Sequence, residues 1–260
     1  MLKLYNLQYN LVYSHCGEVN SKQSTGNSMQ VKGSCSIVLT IKIINNMGLN
    51  CGCPLGAHIA DLTIKECKES MGQIQKVAFQ RIYKTAGTLN AVEDPTKKAS
   101  FSTLLAAADG SKMTVSPYIQ GPTTEPGAAR TFGGGNQTLG GIPITIGREA
   151  TTFTGTIYQE NQKVIAQMKQ YQCETIGVWL VDENGNIGCL VDDLDKPTKY
   201  MPIPIYSFFV GDKSLGGYEE PDSNAISWSF VPNWSDKFYI IKRETLDFNP
   251  LTDWVNAASA

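Results

Sequence analysis

Hydrophobic and polar positions alternate most cleanly from Ile142 onward. The run IPITIGREATTFTGTIYQ is rich in β-branched residues at a period of two, which predicts a pair of strands or one long bent strand. Next, ENQKVIAQMKQYQC spaces Val164, Ile165, Met168 and Tyr171 along one face of a single amphipathic helix. In TIGVWLVDENGNIGCLVDD two apolar runs are joined by Asn184-Gly185, a dipeptide that favours hairpins because both turn positions take positive φ. The tail segments YMPIPIYSFFVGD, AISWSFVP and KFYIIKRETLDF all read as strands, with proline marking edges or ends.

Nearer the N-terminus the periodicity is mixed. The segment from Asp61, DLTIKECKESMG, predicts a short helix capped by Asp61, and IQKVAFQRI a strand. SFSTLLAAAD predicts a short helix with Ser100 as cap, ending at Gly110, and KMTVSPYIQG a strand ending at a Gly-Pro. About eight to ten strands with a few short helices define a mainly β fold. The expected architecture is a β-sandwich or partly closed β-barrel with one flanking amphipathic helix and one or two short helices.

Composition narrows the class. In 260 residues the hydrophobic share is 42% and the charged share 18%, enough for a sizeable core and a surface left largely to Asn, Gln, Ser, Thr and Gly. A net charge of −2 gives no reason to expect sequence-specific nucleic-acid binding. No apolar run reaches the roughly 18 residues that a bilayer-spanning helix needs. The start lacks a basic region followed by an apolar core, so no signal peptide is read. Seven cysteines, at 16, 35, 51, 53, 67, 173 and 189, then argue for reduced thiols in a cytoplasmic setting. Residues 1–46 differ from the rest, with four Lys (3, 22, 32, 42), one acid (Glu18) and a polar middle. Their net +3 leaves −5 for residues 47–260, out of the total of −2. They are expected to form a poorly ordered extension upstream of a natural start at Met47, with residues 47–260 as one β-rich domain.

Chemistry is sparse. The glycine cluster RTFGGGNQTLGG invites a phosphate-loop reading, but it has no Lys, and Pro143 and three Ile residues after it favour a strand over a helix N-terminus. Asp182, Asn184, Asn186 and Asp193 fall at positions 1, 3, 5 and 12 of a calcium-loop template. Ile187 stands where that loop turns on glycine and Asp193 where it uses glutamate, so the hairpin reading is preferred. Cys51, Cys53, His58 and Cys67 match no closed zinc spacing. With only His15 and His58, no nucleophile elbow and Asp192-Asp193 beside a Pro-containing turn, no catalytic, cofactor or metal residues are assigned and no enzyme is expected. Of the four tryptophans, 179, 228, 234 and 254, core positions are expected.

What remains is residues 121–141, a stretch of roughly 20 residues without predicted structure, a length that in a compact domain usually carries function. It holds seven Gly, one acid (Glu125) and one base (Arg130). It is expected to be a mobile arm that orders against another surface, with Phe132 as apolar anchor and Arg130, Gly133, Gly134, Gly135, Asn136 and Leu139 in contact.

The order of elements from Arg130 to Gly188 — glycine loop, strands, one amphipathic helix, then an Asn-Gly hairpin — resembles virion structural proteins of tailed bacteriophages infecting gut Bacteroides-type bacteria, of the tail tube type. The resemblance spans roughly residues 47–260, is strongest over 130–190, and leaves residues 1–46 unmatched. It implies a subunit that self-assembles into rings, typically hexameric, stacked around a channel for the genome, in a tail assembled in the host cytoplasm. It also implies long loops that reach neighbouring copies, contacts with other tail proteins, transient non-specific passage of DNA, and no membrane. A charge of −5 on residues 47–260 suits a lumen that repels phosphates. Two other classes stay open: a collar, ring or baseplate component, and an unrelated β-sandwich carbohydrate-binding module.

Overall fold

In a computed structural model of the chain, residue 62 and residues 69–256 are described, all within the unit Asn46–Ala260. The expected extension over 1–46, the Cys51, Cys53, His58 and Cys67 group, and most of the helix expected from Asp61 lie outside the described residues.

The described chain runs β1 (Ile74–Arg81), β2 (Tyr83–Thr85), β3 (Thr88–Leu89), α1 (Lys98–Ala106), β4 (Met113–Val115), β5 (Gln120–Glu125), β6 (Ala129–Phe132), β7 (Ile144–Arg148), β8 (Thr151–Tyr158) and α2 (Gln162–Gln170). It continues with β9 (Ile176–Asp182), β10 (Ile187–Val191), β11 (Tyr200–Met201), β12 (Ile203–Ser214), β13 (Ser223–Phe230), β14 (Phe238–Ile241) and α3 (Pro250–Asp253). Ten strands form one antiparallel sheet, ordered β11-β10-β9-β12-β13-β8-β5, with β1 between β9 and β4, and β14 beside β10. The fold is thus mainly β with three short helices, as the alternation predicts.

Burial follows the pleat. In β13 the sequence SNAISWSF sends Asn224, Ile226, Trp228 and Phe230 inward and leaves Ser and Ala outside, and Trp228 stacks on its cross-strand partner Phe153 at 4.0 Å between centroids. β9 is buried at all seven positions: Val178 and Leu180 enter one core, Trp179 and Val181 the other. A continuous apolar run in β9 is therefore the signature of a strand covered on both faces. The first core lies within the curl of β1, β9, β12, β13 and β8 and takes Ile165 and Met168 from α2. The second lies behind β1 and β9 and is closed by Phe101 and Leu105 of α1 with Phe248 and Trp254 of the C-terminal segment. Inside it Trp179 Nε1 donates to Gln80 Oε1 (3.0 Å) and Gln80 Nε2 donates to the Ser111 carbonyl (2.9 Å), whereas the buried Trp254 Nε1 has no hydrogen-bond partner among the described residues. β4 pairs with β1, and β5, the continuation of the same segment, pairs with β8, so residues 113–125 bridge the two margins of the curled sheet. The ladder is interrupted between them, and no closed barrel forms.

Three local expectations are corrected. Ser100 is not the α1 cap; the helix starts at Lys98, whose amide donates to the carboxylate of distant Asp247 (2.7 Å), and it ends at Ala106 rather than Gly110. Proline does not always mark an edge: Pro204 sits inside β12, where that strand leaves β9 (Pro204↔Gly177) and takes up β13 one residue later (Ile205↔Phe230). Residues 121–141 are not structureless. They comprise most of β5, all of β6 and a folded tip.

The α2 helix and the Asn184-Gly185 hairpin form as expected. Asn161 caps α2 by accepting from the Lys163 amide (2.9 Å). The hairpin joins β9 to β10, and only Gly185 of the dipeptide takes positive φ (+81°). Its shape comes from buried Asp182, which accepts from the amides of Asn184 (2.9 Å), Asn186 (2.8 Å) and Gly72 (2.9 Å) and from Asn186 Nδ2 (2.7 Å).

Candidate functional site

The segment singled out by its glycines is one half of a two-stranded ribbon. β6 pairs with β7 in the register Phe132↔Ile144, Thr131↔Thr145, Arg130↔Gly147 and Ala129↔Arg148, with a bulge between Arg130 and Thr131. This ribbon prolongs the β5–β8 ladder beyond its last pair, Glu125↔Thr152. At the joint the Glu149 amide donates to the Ala128 carbonyl (2.8 Å). Gly127 is required there by close approach, because a Cβ would stand 1.9 Å from the Glu149 carbonyl oxygen.

The tip is folded by its own hydrogen bonds. The Thr138 hydroxyl accepts from the Gly134 amide (3.0 Å) and donates to the Ile142 carbonyl (2.7 Å), which staples the start of the tip to its end. Glycines 133–135, 140 and 141 all take positive φ, from +53° to +111°, a region that side chains avoid. Their role is to close a compact tip, which replaces the expected loose arm. Thr138 was not among the expected contact residues; its position four residues after Gly134 in a glycine-rich turn is the signal that marks it.

Phe132, Leu139, Ile142, Ile144 and Ile146 are between 47% and 101% exposed, so this short ribbon carries five large apolar side chains facing solvent. Phe132 and Ile144 are direct cross-strand partners and share a face. Arg130 and Arg148 flank them, exposed and in no ion pair among the described residues. Gly135 and Asn136 are exposed at the tip, while Gly133 and Gly134 are half-buried within it. The expected residues thus come together on one protrusion. The sequence reading missed Ile142, Ile144 and Ile146, which complete the apolar surface from the returning strand. Their period-two spacing was visible, but it says only that one face is apolar and not whether a core covers it.

The other candidates are accounted for by local structure. The Asp192 carboxylate accepts from the Thr198 hydroxyl and amide and from the Lys199 amide, which hold it well below the usual carboxylate range. Asp193 accepts from the Asp195 amide (2.8 Å). Both carboxylates shape the loop between β10 and β11. Trp179, Trp228 and Trp254 are buried, and half-buried Trp234 stacks on Phe230 at 4.5 Å. A cleft of about 540 Å³ beside the Arg81–Glu174 ion pair (2.6 Å) is lined by satisfied polar groups, Gln80 and Asp109 among them.

Fold and surface together define a mainly β protein whose most distinctive exposed feature is a structured apolar ribbon. No family model and no curated protein matches the sequence. Among solved structures the chain is similar to one from "Virion of native gene transfer agent (GTA) particle", with 10% identity and a TM-score of 0.27 over 48% of this chain and 83% of that one. It is similar also to one from "Cryo-EM structure of the anti-feeding prophage (AFP) baseplate, 6-fold symmetrised", with 7% identity and a TM-score of 0.30 over 68% and 97%. Likeness at this level carries no argument about function, which rests on the residues of this chain.

Proposed function

We propose that this chain is a non-enzymatic structural subunit of a phage virion, of the tail tube type, and that it assembles with copies of itself through the β6–β7 ribbon. One observation carries the reading: five large apolar side chains are exposed on a ribbon that projects beyond the main sheet, and none of the described residues covers them. A soluble monomer gains nothing from such a surface, whereas a neighbouring subunit would bury it. The folded tip supports the same reading, because a pre-shaped arm loses less conformational entropy on docking than a loose one. The resemblance of residues 130–190 to tail tube proteins supplies the virion context, with hexameric rings stacked around a channel for DNA.

In this reading the contact residues are Arg130, Phe132 and Leu139 with the returning isoleucines, and Gly133, Gly134, Gly135 and Asn136 shape the tip. The experiment replaces residues 129–148 with a two-residue Asn-Gly turn between Ala128 and Glu149, which keeps the β5–β8 pairing. The expected product is a folded monomer that forms no rings or tubes under negative-stain microscopy, while the full-length chain forms them. Tubes from the shortened chain would refute the role of the ribbon. Discrete full-length monomers at high concentration would refute self-assembly.

A further inference from the structure

If the ribbon docks on a second copy, a matching surface must exist on this chain, and its chemistry can be specified. The ribbon, residues 129–148, contains Arg130 and Arg148 and no acid, a net charge of +2. Its acceptor should therefore combine exposed apolar side chains with unpaired carboxylates.

The turn between β12 and β13 has that combination. Leu215 and Tyr218 are 78% and 110% exposed, and residues 215–222 contain Glu219, Glu220 and Asp222 with no base, a net charge of −3. Glu219 and Glu220 are exposed and in no ion pair among the described residues. The nearby cations are engaged elsewhere: Lys213 Nζ donates to the Glu160 carbonyl (3.4 Å), and Lys169 pairs with Asp212. The turn is also pre-shaped. Gly217 takes φ +74°, the Gly216 amide donates to Asp222 Oδ1 (3.3 Å), and the Gln159 amide donates to the Asp222 carbonyl (2.8 Å).

The register of β8 against β13 places the two surfaces relative to one another. The ribbon leaves the sheet at the Thr151↔Phe230 end, and the turn leaves it at the Tyr158↔Ser223 end. They lie at opposite ends of the same strands, separated by the length of β8, about 23 Å at 3.3 Å per residue. We propose that the ribbon of one copy docks on the Leu215–Asp222 turn of a second copy, head to tail. A two-fold contact between two ribbons would instead set four arginines against each other, with only Glu149 at the joint of each ribbon to offset them. Two different patches at opposite ends make a heterologous contact, the kind that propagates into a ring or a filament. This inference rests on the self-assembly reading and adds the acceptor and the polarity to it.

A charge exchange tests it. Arg130→Glu with Arg148→Glu reverses the ribbon, Glu219→Lys with Glu220→Lys reverses the turn, and the quadruple variant exchanges the two signs. All four side chains are exposed, so each variant is expected to melt as the parent does in circular dichroism. By sedimentation velocity at low salt, each double variant should need at least tenfold more protein to assemble. The quadruple variant should recover most of that loss. A turn reversal without effect, or a quadruple variant no better than the doubles, overturns the proposal even where the parent assembles and the ribbon-shortened chain does not. In that case self-assembly through the ribbon still stands. A parent chain that never associates overturns both.

Discussion

Replacing Phe132 and Ile144 together by threonine should separate assembly from folding. The two side chains are cross-strand partners in the ribbon, each 57% exposed and remote from both cores. Full burial of such a side chain is worth about 1.5–3 kcal/mol, so covering the exposed 57% contributes about 1–1.5 kcal/mol each, or roughly 2–3 kcal/mol for the pair. At a factor of ten per 1.4 kcal/mol, the concentration needed for assembly should rise about 30- to 150-fold. Threonine keeps the β-branched preference of the strands, and the lost cross-strand contact costs the monomer only about 0.2–1 kcal/mol. Sedimentation velocity across a concentration series reads the first effect, and thermal melting followed by circular dichroism reads the second. Unchanged assembly would show that the ribbon is no interface. A melting temperature lowered by many degrees would show that the pair packs inside the monomer, and either result refutes the reasoning.

Three further outcomes are expected. Asp182→Ala removes the acceptor of four hydrogen bonds from partly buried donors, so urea denaturation should show a loss of about 2–3 kcal/mol. Asp192, held down chiefly by the Thr198 hydroxyl, and Glu174, held down chiefly by Arg81, both titrate lower in the folded chain than in an unfolded one. Their stabilisation is therefore complete above the unfolded value near pH 4 and is lost as pH falls through the folded value; Asp192→Asn should flatten the acid limb of a stability–pH curve, and an unchanged limb would contradict this. Exposed Cys173 should react with iodoacetamide in the native protein, whereas Cys189, buried and with its thiol pKa pushed up by burial, should be protected until unfolding, as read by peptide mass mapping.

If the ribbon and the β12–β13 turn meet, each subunit carries both halves of one contact, and assembly needs no second protein to propagate. Polarity then follows from the sheet itself, since the same strands that bury Trp228 and Phe153 also fix the two surfaces at opposite ends. Surface charge pairs of this kind contribute little energy individually. Their use is in register and in rejecting wrong pairings, while the apolar side chains supply most of the affinity.

Much of the fold was legible in the chain because the information is local. The alternation in AISWSFVP, the helical spacing of Val164, Ile165 and Met168 in α2 and the Asn184-Gly185 hairpin each depend on residues a few positions apart, and the strand, the helix and the hairpin all form. Expectations failed where a distant residue intervened. Asp247 caps α1 in place of Ser100 from 149 positions away, and Pro204 is tolerated inside β12 because that strand changes partners there. The same limit governs the candidate site. Ile144 and Ile146 on β7 alternate much as Phe153 and Ile157 do on β8, yet the first pair faces solvent and the second lies in a core. The sequence by itself determined that both stretches are strands with one apolar face, because the pleat period is a property of the backbone. Which face is covered was decided only by the tertiary structure, since coverage depends on whether other strands reach that far, and none of the described strands extends past Thr151 to shield the ribbon.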